Sequence, residues 1–212
     1  MYSSQTRTCK VSYKHGIGRR YLFVEFRTGV YWNNAIHWID RFGFIVYFDL
    51  DKEMSYEIKT PAFACCDLND IMNYRSYIFE SRDELLLVEI YCPLITKFKI
   101  YELKRDYSNW LVKYHVNLEE FDGSLFPKSM KPSLKANQLY EFDVLSLVLG
   151  GDNGVEPFLV VETRMKIMRL NLESKTYHIL RDYTSPRITP SDVPYLYQWP
   201  HVYQFAMSLY NF

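Results

Sequence analysis

The sequence predicts an all-β fold built from repeated four-stranded antiparallel meanders, and three observations carry that expectation. Residues 30–61 divide into four short apolar runs separated by turn residues. Aromatic residues make up 17% of the chain, with 19 Tyr and 14 Phe, a load that suits pleated, half-buried faces. The third run of the first meander has two echoes, Tyr101-Glu102-Leu103 and Leu170-Asn171-Leu172, against Phe48-Asp49-Leu50. Leu50, Leu103 and Leu172 are 53 and 69 residues apart, the second interval stretched by a long polar insertion. A degenerate repeat of this length points to a β-propeller-type array rather than a sandwich. Three units fall short of the usual closure at about four or more blades, so the propeller is expected to be partial or degenerate.

Residues 1–20 are a polar, basic arm, in which Gly16-Ile17-Gly18 is a turn. It is too short for a dinucleotide-binding loop, and no helical pattern follows it. The repeat domain is expected over residues 21–212. YLFVEF, residues 21–26, reads as a strand. Val30–Trp32 follows, then Asn33-Asn34, a pair that tolerates the positive φ of a tight hairpin turn. Ala35–Ile39 is broken by residues 40–43, and the strand over 44–50 by Asp51-Lys52-Glu53. The strand over 54–60 ends at Pro61, where the chain can no longer donate to a ladder. Residues 61–76 are a connector, with a turn or short helical piece at Asp67-Leu68-Asn69-Asp70.

The second meander has strands over 76–80, 85–91, 96–102 and 110–116, with turns at 81–84 and 104–109. In TKFKIYE, Phe98 and Ile100 alternate against Lys97, Lys99 and Tyr101, the period of a half-buried strand. Residues 119–138 carry Gly123, Pro127 and Pro132 and form an extended loop, either a binding loop or a spacer. The third meander has strands over 139–149, 157–162, 166–172 and 175–180, with a Gly-rich loop at 150–154. Residues 181–200 are irregular, with four prolines, and 201–212 form an aromatic strand or short helix.

Charge and composition narrow the function. Lys plus Arg and Asp plus Glu are both 25, so nothing draws the whole chain toward nucleic acid or anionic membrane. Lys10, Lys14, Arg19 and Arg20 are too few for a nucleic-acid patch and lack a stacking platform. No window approaches the ~18 apolar residues of a membrane-spanning helix, and the N-terminus has no apolar signal region. Cys9, Cys65, Cys66 and Cys92 match no zinc spacing and are expected as free thiols in a reducing cytoplasm or nucleus.

No catalytic motif is present, and neither enzymatic activity, metal nor cofactor is expected. His15, His37, His115, His178 and His201 are scattered and read as packed or surface residues. Glu119-Glu120 and the Asp51/Glu53 pair lie in turns, as solvated carboxylates do. Trp32, Trp38, Trp110 and Trp199 are the candidate energetic anchors. Trp38 and Trp110 lie in strands and suit packing, while Trp199 with Tyr195 and Tyr197 forms either an exposed binding patch or a cover for the last blade.

Several ordered motifs resemble the F-box-associated domain of plant F-box proteins. The opening segment has Asn33-Asn34, Ile36-His37-Trp38, Phe48-Asp49-Leu50, Glu53 and Pro61, with Asn34 where the family usually has Gly. The second has Glu80-Ser81, Leu85-Leu86-Leu87, Ile100-Tyr101-Glu102-Leu103 and the most specific run, WLVKYHVNL from Trp110 to Leu118. Asp143-Val144-Leu145-Ser146 and Ser208-Leu209 also fit. The resemblance implies a kelch-like β-propeller acting as the substrate-recognition module of an SCF-type ubiquitin ligase. Residues 1–28 do not resemble an F-box, so the expectation is the recognition half alone, meeting a Skp-type adaptor and cullin only if an F-box is supplied. The alternative is a carbohydrate-binding or glycoside-hydrolysing propeller, although no sialidase-type Asp-box is present.

Overall fold

The computed structural model describes residues 28–40, 43–62, 74–91, 96–121, 142–151, 154–163 and 166–183, with the backbone of residues 2–3 and 8–9. Strands dominate. β1 (Tyr2–Ser3) and β2 (Thr8–Cys9) pair in a two-residue antiparallel ladder. Three four-stranded antiparallel sheets then follow one another along the chain.

The first sheet has the order β3 (Val30–Trp32), β4 (Ala35–Ile39), β5 (Phe44–Asp49), β6 (Met54–Lys59), each paired with its sequence neighbour. Trp32 faces Ala35, so the connection is the two-residue turn Asn33-Asn34, with φ of 48° and 57°. Both residues are left-handed, as a hairpin turn matching the strand twist requires. Between β5 and β6, Asp49 Oδ1 accepts from the amides of Asp51 (3.0 Å) and Lys52 (2.9 Å), and its other oxygen pairs with Lys52 Nζ at 2.8 Å. That local network is why a charged triplet makes a turn.

The second sheet comprises β7 (Tyr74–Ser81), β8 (Glu84–Tyr91), β9 (Lys97–Leu103) and β10 (Trp110–Asn117), again in consecutive order. β7 begins earlier than the sequence predicts. The β7–β8 turn is also tighter than the predicted 81–84: only Arg82 and Asp83 lie outside the strands, at φ 55° and 62°. Asp83 tolerates this left-handed region whereas Arg82 rarely adopts it, and Glu80 Oε1 holds the turn by accepting from the Asp83 amide at 2.8 Å. A 3-10 turn, Leu118–Glu120, follows β10, with the Asn117 side chain accepting from the Glu119 amide.

The third sheet runs β11 (Phe142–Val148), β12 (Phe158–Thr163), β13 (Lys166–Asn171), β14 (Tyr177–Asp182). β11 bulges between Val144 and Ser146. The three repeat triplets fall in or at the end of β5, β9 and β13, the third strand of each sheet.

Contacts divide the chain into two units, Met1–Leu87 with Glu102–Leu111, and Val88–Tyr101 with Val112–Phe212. The first has a core of Trp32, Leu85 and Leu103, with Val30, Ile58, Tyr107 and Trp110 packed on it. In the second, Leu147, Leu159, Val161, Met168 and Leu170 are buried, and Phe98 meets Phe142 with ring centroids 6.3 Å apart. The predicted strand over 21–26, the 67–70 turn, most of the 119–138 loop and the elements of 184–212 lie outside the described residues.

Candidate functional site

Three turns of the first unit frame a groove. They are Asn33-Asn34 after β3, Arg82-Asp83 after β7, and the loop from Lys104 to Asn109 between β9 and β10. Trp32 points inward from β3, as strand alternation demands, and its indole N–H donates to the Asp83 carbonyl at 2.8 Å. Asn33 Nδ2 donates to the Arg105 carbonyl at 2.9 Å, and the Arg105 guanidinium pairs with the Asp83 carboxylate. Side-chain bonds to backbone thus fix the three turns against one another. The groove has a volume of about 450 Å³, lined by Tyr31, Asn33, Asn34, Glu80, Asp83 and Arg105, with Trp32 also on its wall. Tyr31, the strand neighbour of Trp32, faces the other way and is 60% exposed.

An aromatic stack lies in the same unit. Tyr47 stacks on Tyr107 with centroids 4.5 Å apart, and on Tyr56 at 5.1 Å. His37 lies 5.4 Å from Tyr47 and 5.8 Å from Tyr107, with Trp32 tilted against it at 5.6 Å. His37 Nδ1 lies 3.3 Å from the Val30 carbonyl and Nε2 lies 3.2 Å from the Tyr107 hydroxyl. A carbonyl only accepts, which assigns the proton to Nδ1 and leaves Nε2 to accept from Tyr107. Burial away from water lowers the His37 pKa to about 4, against the smaller opposing effect of its backbone hydrogen bonds. Burial likewise raises the Tyr107 and Tyr47 phenols above their ordinary value. Tyr107 takes φ 61° in its turn, a costly conformation for an aromatic residue that the stack holds in place.

Of the candidate anchors, Trp32 is buried. Trp38 is half-buried against Val46, and Trp110 packs on the Trp32 cluster while donating to the Lys59 carbonyl at 3.0 Å. None of these three is an exposed binding residue. His37 is packed, whereas His115 and His178 are exposed. Asp51, Glu119 and Glu120 are exposed, and Glu53 is half-buried in its turn. Tyr195, Tyr197, Trp199, His15, His201, Lys10, Lys14, Arg19, Arg20, Cys65, Cys66 and Cys92 lie outside the described residues, as does the side chain of Cys9. Tyr31, Glu80, Asp83, Arg105 and Tyr107 were missed by sequence reasoning. For Tyr31 a signal existed: beside a two-residue turn, alternation puts one of Tyr31 and Trp32 outside. Among the described residues, no group of three His, Cys, Asp or Glu is placed to hold a metal ion, and no helix is long and apolar enough to cross a membrane.

No protein-family model matches the chain. Over 199 residues it is 25% identical to an F-box protein of Arabidopsis thaliana, an alignment covering 89% of this chain and 45% of that protein. The chain is therefore a distant homologue of an F-box protein and spans less than half of that relative's length.

Proposed function

We propose that this chain is a non-enzymatic protein-recognition module of the F-box-associated type. In this reading its three sheets are blades of a kelch-like propeller, and the groove of the first unit takes part of a target protein in the cytoplasm or nucleus. Joined to an F-box, the module would present that target to an SCF-type ubiquitin ligase through a Skp-type adaptor and cullin. The observation that carries the reading is the alignment with an F-box protein over 89% of the chain. The groove supports it, because an exposed Tyr beside Arg and carboxylates on short, mutually tied turns is the composition of an interface anchor.

Affinity purification from plant cells tests it. The wild-type chain, joined to an F-box, should retain a discrete target together with adaptor and cullin. Tyr31→Ala with Arg105→Ala should lose the target, keep the adaptor and melt at nearly the wild-type temperature, since both side chains are largely exposed. A target held equally by wild type and variant would remove the groove from the reading, and no stable target at all would sink it. Carbohydrate is the second reading, favoured by the flat Tyr31 ring beside Asn34, Glu80 and Asp83. A specific glycan-array signal abolished by Tyr31→Ala would put it first.

A further inference from the structure

We propose that the groove of the first unit is a receptor for a single cationic side chain, an arginine in preference to a lysine, on the partner protein. This rests on the reading of the chain as a protein-recognition module and names the chemistry of what it recognises.

Three lining groups have bonding capacity left over. Glu80 accepts one hydrogen bond, from the Asp83 amide, and has no ion-pair partner among the described residues. The Asn34 side chain makes no hydrogen bond among them, while its backbone carbonyl serves the Leu50 amide at 3.1 Å. Tyr31 is 60% exposed and has no ring partner among them. The one cation on the lining, Arg105, is already engaged by Asp83. The unneutralised charge of the groove is therefore the Glu80 carboxylate, and an incoming anion would meet that charge while competing with Asp83 for Arg105.

A guanidinium satisfies all three groups together. It stacks flat on an aromatic face, donates charge-assisted hydrogen bonds to a carboxylate, and has further N–H groups for the Asn34 carboxamide oxygen. A lysine ammonium can pair with Glu80 but cannot stack as a plane. The groove is open to solvent, with a volume of about 450 Å³, room for one side-chain head group, and its backbone is preset. Asn33, Asn34, Arg82 and Asp83 all hold positive φ without a glycine among them.

The test is selection of phage-displayed dodecapeptides on the intact chain, followed by titration of the enriched peptide. Enriched peptides should share one Arg at a fixed position. Replacing that Arg by citrulline, which keeps its shape and loses its charge, should weaken binding about tenfold or more. Glu80→Gln, which keeps the acceptor for the Asp83 amide, should do the same. Tyr31→Ala should weaken binding roughly fivefold, and Tyr31→Phe should restore it. Enriched peptides without a shared cation that still depend on Tyr31 would overturn this inference and leave protein recognition standing. An acidic consensus dependent on Arg105 would overturn it equally. No enrichment, or binding indifferent to both Tyr31→Ala and Glu80→Gln, would overturn it and withdraw the groove's support from the recognition reading as well.

Discussion

His37 is 0% exposed and neutral, packed against the stacked Tyr47 and Tyr107 rings, and the pH dependence of stability follows from its chemistry. Unfolded, it takes up a proton near its ordinary pKa of 6.5, whereas folded it resists until about 4. Between those values the unfolded chain binds more protons, so stability is lost as pH falls through 6.5 and the loss levels off near 4. The gap corresponds to ~3 kcal/mol. Urea midpoints should fall across this window in the wild type and much less in His37→Phe, where only carboxyls lowered on folding, Asp49, Asp106 and Glu156, still act toward its acid end. At neutral pH the same variant should cost about 1–2 kcal/mol for its lost hydrogen bonds. A variant that keeps the wild-type slope would show that another group titrates. Trp32 gives a second test. Trp32→Phe keeps an aromatic ring but leaves the Asp83 carbonyl without its donor, and should cost about 1–3 kcal/mol in guanidinium unfolding. Trp32→Ala should cost ~3–5 kcal/mol, because the ring is the centre of the first unit's core.

The hairpin turns set the register of each sheet, and their residues are separable by role. Asn34 at φ 57° uses only its backbone locally, so Asn34→Gly should leave stability unchanged or raise it by about 0.5 kcal/mol. Asn33→Gly should instead cost ~1 kcal/mol, because its side chain ties the β3–β4 turn to the β9–β10 loop. Thermal melts of the two variants should therefore move in different directions, and equal shifts would refute the distinction. After β11 the constraint is space: a Cβ at Gly150 would lie 2.2 Å from the Val155 carbonyl oxygen, which accepts from the Gly151 amide at 3.0 Å. Gly150→Ala should cost about 1–3 kcal/mol by displacing backbone.

Across the whole molecule, protection is unevenly distributed between central and outer strands. β8 is buried at every position from residue 85 to 90. β14 pairs with β13 alone, at the edge of its sheet, and exposes Ile179 (44%) and Leu180 (56%). Native-state hydrogen exchange should accordingly be slowest at residues 85–90 and fast at residues 178–180, tracking local opening. Comparable rates in the two strands would contradict this placement of the core. The exposed apolar edge leaves β14 open to strand pairing between molecules, so a charge at Leu180, as in Leu180→Lys, should raise solubility without lowering the melting temperature by more than about a degree or two.

Strand positions were legible along the chain because they depend on near neighbours. Alternation, turn chemistry and proline placement put β3 and β4 at their observed bounds and β5 and β6 within one residue, and they located the repeat in the third strand of each sheet. The β7–β8 turn was legible at 81–84, but its tightening to two residues was not. Arg82 has little left-handed preference of its own, and what holds it there is the Glu80 contact to the Asp83 amide together with the strands on either side. Nor was the groove legible. Its wall joins residues from three separate turns, and its polarity depends on which carboxylate Arg105 engages, a matter of distances between segments up to 74 residues apart in sequence. Local preference fixes where a chain extends and turns. Which side chains are left with an unmet charge or an open face is decided only when distant turns pack together.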